Sequence, residues 1–203
     1  RDVAPSRGLG DVYKRQPLDN YEELLRFIKL VSCEKGIGIS QRNITVSTCG
    51  LVDKIRMLAD EKLQITLAIS LHAPNDEIRR QTMPIANRYT IGEIIQACKY
   101  YFDKTGRRIT FEYSMIRGVN DKEEHAKELA GRLSGLNCHI NLIPLNEVKE
   151  RNCYRSTKED IEKFKTILEK YRKTVTIRRE MGSDIDAACG QLRKKFLTKN
   201  GRN

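Results

Sequence analysis

Apolar residues recur along this chain in two rhythms, one helical and one extended. From Tyr21 to Val31 the apolar positions Leu24, Leu25, Ile28 and Val31 fall on one helical face. NITVSTCG (43–50) then reads as a short strand ending in small polar residues and Gly50, followed by a helix from Leu51 to about Ala59. LQITLAISLH (63–72) predicts a second buried strand that ends at Ser70, Leu71 and His72. A polar APND turn and a short helical stretch lead to the breaker Pro84. Thr90, with Glu93 three residues on, has the spacing of a capping box for a helix from Ile91 to Phe102. RRITFEYSMI is a third strand, residues 122–134 a helix and CHINLIPLN a fourth strand. Thr157 caps a helix carrying Ile161, Phe164, Ile167 and Leu168, TVTIRR is a fifth strand, and a helix from about Ile185 leads into a basic tail. The first sixteen residues show no such rhythm.

Strands written as continuous apolar runs and separated by helices point to parallel βα units with helices covering the sheet. On pattern alone an open doubly wound sheet and an incomplete barrel fit equally well. No repeat or low-complexity segment intervenes in the 203 residues, so one domain is expected over residues 17–198, between a leader of 1–16 and a basic tail of 199–203.

Charge adds a possible partner. The formal net charge is +11, and from Lys149 onward 16 basic residues face 8 acidic ones. Such a surface attracts phosphate backbones, or serves solubility alone. No apolar run is long enough to span a membrane, and Asp11, Lys14 and Arg15 interrupt the only candidate signal region, which makes the cytoplasm the expected compartment. The six cysteines (33, 49, 98, 138, 153 and 189) have no short spacing of the kind that builds zinc knuckles or iron–sulfur loops, and read as reduced thiols.

Ligands of parallel α/β folds bind beyond the carboxyl ends of the strands, and those ends are polar here. The first offers Ser47 and Thr48, and the second Ser70 and His72. The third offers Glu112 within its strand and Arg117, Gly118, Asn120 and Asp121 after it; the fourth offers Asn141 and Asn146. Together they suit a ribose, an adenine edge or an amino-acid zwitterion, and singly they suit helix caps and loop backbones. His72 has no ligand-spaced companions, because His125 reads as a helix-surface residue and His139 as a strand residue. No glycine pattern matches a phosphate loop. Cys189, in MGSDIDAACGQL, is either structural or a reactive thiol: Arg178 and Arg179 favour its thiolate, and Asp184 and Asp186 oppose it.

GISQRNITVSTCG, LAISLHAPNDEIRRQTMPI, GRRITFEYSMIRGVND, CHINLIPLN and RREMGSDIDAACGQL resemble, in order, the signatures of the radical-SAM RNA methyltransferases of the RlmN/Cfr family. The resemblance runs from about Pro17 to Leu192 and is greatest to the RlmN branch, which methylates adenine C2 in 23S rRNA and tRNA. It implies a partial (β/α)6 barrel in which the strands ending near Ser47, Leu71, Ile116 and Pro144 are the third to sixth. It also implies that Ser47, Ser70, Leu71, His72 and Asn146 bind S-adenosylmethionine and that Cys189 becomes S-methylcysteine. The family reaction uses two molecules of S-adenosylmethionine, one to methylate the cysteine and one, at a reduced [4Fe-4S] cluster, to generate the radical that activates that methyl group. An electron donor such as flavodoxin is implied, and a monomer is expected. A C8-methylating relative, another radical-SAM enzyme and a non-catalytic RNA-binding module are the alternatives.

The chain departs from the family at its beginning. No CxxxCxxC cluster loop is present, and the pattern GEPLxNY survives only as PLDNY (17–21). Arg15 and Gln16 stand where glycine and glutamate would meet the methionine amino group. The implied cluster therefore has no ligands in this sequence, and the chain is expected to be inactive by itself and to expose a sheet edge.

Overall fold

The structure, a computed structural model, describes residues 16–145 and 154–178. A short 3-10 turn, Pro17–Asn20, leads into α1 (Tyr21–Ser32), which buries Tyr21, Leu25, Ile28 and Val31. There follow β1 (Thr45–Thr48), α2 (Val52–Asp60), β2 (Thr66–Ser70), α3 (Asp76–Thr82) and α4 (Ile91–Thr105). The chain continues through β3 (Ile109–Met115), α5 (Glu123–Arg132), β4 (Cys138–Pro144), α6 (Lys158–Lys170) and β5 (Thr174–Ile177).

Local chemistry accounts for the helix ends. At the start of α4 the Thr90 hydroxyl accepts from the Glu93 N–H at 3.2 Å while the Glu93 carboxylate accepts from the Thr90 N–H at 2.8 Å, completing the expected capping box. The same helix ends at Gly106 with φ 66°, and α6 begins with the Thr157 hydroxyl accepting from Asp160 N–H at 3.1 Å. The helix of residues 122–134 differs from expectation in one respect. His125 is buried, and its Nδ1 accepts from the Lys122 N–H at 3.2 Å, so it closes the first turn of α5 instead of decorating its surface.

Strand order decides between the two architectures left open by the sequence. The five strands pair in parallel throughout and their order is β1-β2-β3-β4-β5, each strand beside its successor. A doubly wound sheet reverses its order at a switch point; a sheet that never reverses, built with right-handed crossovers, puts every helix on one side. The fold is thus a partial (β/α) barrel, five strands wide among the described residues.

The strands are not apolar throughout. Val46, Leu67, Ile69, Ile109, Phe111, Tyr113, Ile140, Leu142 and Val175 face the helices and form the core with Ile55, Leu58, Ile94, Tyr101, Leu129 and Phe164. The Tyr113 and Phe164 rings, 5.2 Å apart, pin α6 to β3. The alternate residues face the other way and are mainly polar, because successive side chains of a strand point to opposite faces. Register places them in two rows: Ser47, Ala68, Thr110, His139 and Thr174, then Ser70, Glu112, Asn141 and Thr176.

Candidate active site on the concave face

Two buried groups hold the carboxyl ends of the strands in place. Arg79 of α3 has no exposed surface, and its guanidinium donates to the carbonyls of Cys49 (2.7 Å), Leu71 (3.2 Å), Tyr89 (3.4 Å) and Ser70 (3.5 Å). It therefore ties the ends of β1 and β2 to the turn before α4. Burial lowers its pKa to about 10, against the opposing effects of Cys49 and Asp76, and it remains charged at neutral pH. Sequence reasoning missed Arg79, since an arginine beside Arg80 in a short helix looks like a surface pair. The second anchor is Asn120, whose Oδ1 accepts from Ile116 N–H at 2.7 Å and whose Nδ2 donates to the carbonyls of His72 and Ser114, both at 2.8 Å.

Gly50 completes this frame. Its φ is +96°, and a Cβ there would lie 2.7 Å from Ile94 Cδ1. Only glycine combines that backbone with such a close approach to α4. Beside it the Thr48 hydroxyl accepts from Gly50 N–H at 3.1 Å and from Gln16 Nε2 at 2.7 Å.

The candidate ligand residues divide into three groups. Ser47 is exposed and Ser70 half-buried, both on the concave side, and the Ser70 hydroxyl makes no hydrogen bond among the described residues. Leu71 is different: its side chain lies wholly in the core, its N–H donates to Glu112 O at 3.1 Å and its carbonyl accepts from Arg79. His72 has φ +58°, uncommon for a residue with a side chain, and is held there by Asn120 on its carbonyl and by the Ser114 N–H, which donates to its Nδ1 at 3.0 Å. Burial, helped by the charge of Arg79, lowers the His72 pKa to about 4, so its ring is neutral near pH 7. The Nδ1 lone pair being occupied, its proton sits on Nε2. Asn146 and Cys189 lie outside the described residues, as does most of the basic carboxy-terminal segment.

Two residues offered by the sequence turn out to be consumed by the loop after β3. Asn120 is the anchor just described. Asp121 accepts from Gly118 N–H at 2.9 Å and from the Ser156 hydroxyl at 2.7 Å. By contrast Glu112 points to the concave side, where Asn141 Nδ2 donates to its Oε2 at 3.1 Å. Burial raises its pKa, with the Asn141 hydrogen bond and the charge of Arg178 acting against that. A cleft of about 160 Å³ lies between the end of β1, the first turn of α2 and the turn before α4, bordered by Gln16, Asp19, Cys49, Asp53, Arg88 and Tyr89.

The comparisons place this frame. The profile described as the Radical SAM superfamily matches residues 14–130. The chain belongs to the radical SAM superfamily. Within this superfamily its homology is to the RlmN family. It is 55% identical to the probable dual-specificity RNA methyltransferase RlmN of Lachnospira eligens over 97% of this chain and 61% of that protein. It is 58% identical to its counterpart in Clostridium novyi over 91% of this chain and 54% of that protein. The chain thus spans little more than half the length of the curated relatives it matches. A radical SAM methyltransferase from Sphaerobacter thermophilus superposes with a TM-score of 0.82 at 48% identity, over 87% of this chain and 52% of that one. A domain of pyruvate-formate lyase-activating enzyme from Bacteroides vulgatus, 20% identical, shares the fold with a TM-score of 0.59 over 80% of this chain and 94% of that one.

The superfamily implies two bound groups, and the described residues fit them unequally. Hydroxyls at Ser47 and Ser70 and a carboxylate at Glu112 are the donors and acceptors a nucleoside needs. Gln16 adds a buried side-chain oxygen with no hydrogen-bond partner at the end of β1. S-adenosylmethionine therefore suits this donor set. An iron–sulfur cluster does not: among the described residues no group of three or more His, Cys, Asp or Glu side chains could hold a metal. The described cysteines are scattered, Cys33 exposed and Cys49, Cys98 and Cys138 buried, and burial raises the pKa of all three buried thiols.

Proposed function

We propose that this chain forms part of the catalytic barrel of an RlmN-type enzyme that uses S-adenosylmethionine to methylate C2 of adenosine in 23S rRNA and tRNA. The observation that carries the reading is identity of 55–59% to RlmN proteins over nine-tenths or more of this chain. The polar concave face supports it, since it supplies nucleoside-binding chemistry where that superfamily works. S-adenosylmethionine supplies the methyl group. Ser47, Ser70, His72 and Asn146 are its proposed contacts by side chain, and Leu71 by backbone. Cys189 is the proposed methyl carrier, so that the thiol first accepts a methyl group and then delivers its carbon to the ring. The RNA partners, a cytoplasmic location, a monomeric state and an electron donor such as flavodoxin belong to this proposal.

The test is mass spectrometry of nucleosides from RNA treated anaerobically with the full-length protein, S-adenosylmethionine and a reductant. The expected product is 2-methyladenosine, abolished by Cys189→Ala because no other atom carries the methyl group. Persistence of that product in the variant would remove Cys189 from the reaction. Formation of 8-methyladenosine instead would move the protein to the C8-methylating branch.

A further inference from the structure

A directed chain of hydrogen bonds runs from His139 in the first polar row into the second and ends on an incompletely used carboxylate. Thr176 Oγ1 lies 3.2 Å from Asn141 Oδ1 and 3.0 Å from His139 Nε2. A hydroxyl has one proton, and Asn141 Oδ1 can only accept, so Thr176 donates to Asn141 and receives from His139 Nε2–H. That bond fixes the Asn141 amide with its Nδ2 toward Glu112. The donors of His139, Thr176 and Asn141 therefore run in one direction, and the last of them reaches Glu112 Oε2. Oε1 has no hydrogen-bond partner among the described residues, and Ser70, whose hydroxyl is likewise unengaged among them, is the register partner of Glu112.

We infer that Glu112 recognises the vicinal ribose hydroxyls of an adenosyl ligand, with Ser70 beside it and with Asn141, Thr176 and His139 as positioning residues that hold its carboxylate as an acceptor. This rests on the S-adenosylmethionine reading above, and it assigns the ribose to one carboxylate that the family resemblance does not include. Chemistry selects the ribose over the base. A carboxylate only accepts, and the hydroxyls of a diol both donate to it, whereas the amino edge of adenine would bring the N1 lone pair against it. The diol also identifies the source. In an internal RNA nucleotide the 3′ oxygen is esterified, so a free vicinal diol belongs to the small-molecule ligand.

The experiment is isothermal titration of the full-length protein with S-adenosylhomocysteine and with its 2′,3′-dideoxy analogue. In Glu112→Gln, Asn141 still engages the side-chain oxygen and turns an amide donor toward the ligand. Affinity for the ribonucleoside should fall roughly ten- to a hundredfold, the range of a lost charge-assisted hydrogen bond, while affinity for the dideoxy analogue changes by less than about threefold. Thr176→Val, at an exposed position where folding is not at stake, should weaken the ribonucleoside alone by about two- to fivefold. Equal losses for both ligands, or no loss in either variant, would overturn the inference and leave the S-adenosylmethionine reading intact. A wild-type protein that binds neither compound would overturn both.

Discussion

The two faces of the sheet are built from the same five strands and do opposite work. Toward the helices, Ile69, Phe111, Tyr113, Ile140 and Leu142 are buried, and area removed from water holds the fold together. Toward the concave side, Ser70, Glu112, Asn141 and Thr176 form a row with hydrogen-bonding capacity left over. A stable core satisfies its polar groups; a binding surface must leave some unsatisfied until a ligand arrives. The loop after β3 shows the other outcome, since Asn120 and Asp121 are as polar as Glu112 but have their bonds taken by backbone and by Ser156. Residue type alone therefore does not mark a site. Unused bonding capacity in a shared row does.

This contrast can be broken most severely from the core side. Phe111→Ala should destabilise the protein by about 3–5 kcal/mol, read as a lowered urea midpoint at unchanged slope, because its buried ring leaves a cavity between sheet and helices. A loss below about 1 kcal/mol would mean that the helix-facing side is not the energetic core.

The boundary between the faces can be probed by pH. Unfolded His72 takes up a proton near pH 6.5, whereas the folded ring stays neutral until about 4. The unfolded state binds more protons in that window, so stability is highest above about 6.5 and declines as pH falls toward 4, by an amount on the order of 2 kcal/mol. His72→Gln should flatten the decline in urea midpoints between pH 7 and pH 4.5. An identical slope in wild type and variant would place the titrating group elsewhere.

The smallest effect is expected on the concave side. Ser47→Ala, at an exposed position of β1, should change the urea midpoint by no more than about 0.5 kcal/mol. A loss comparable to a core truncation would erase the distinction between the faces.

Features contained within a few residues of chain were legible from sequence. Thr90 with Glu93, and Thr157 with its helix, bond to partners three residues away, so type and spacing suffice. Among the described residues the strands and helices lie where periodicity placed them, the helix expected from about Ile185 falling outside those residues, and Ser47, Ser70 and His72 were identifiable as strand-end polar residues. Glu112 and Asn141 were each visible, but their 3.1 Å contact joins residues 29 apart and follows from the register of β3 on β4. His125 and Arg79 were misjudged or missed for the same reason: each looks solvated in one dimension and is buried by elements distant in sequence.

The sequence by itself determined the alternation of strand and helix, the caps, the superfamily resemblance and the polar character of the strand ends, because each depends on neighbours along the chain. Only the tertiary structure decided that the strands run in unbroken order, that one face is dry and the other polar, and that Arg79 joins the ends of two strands. It also placed Ser70 beside Glu112. Those facts depend on strand register and helix packing, which are set by the joint burial of apolar surface from segments far apart in the chain.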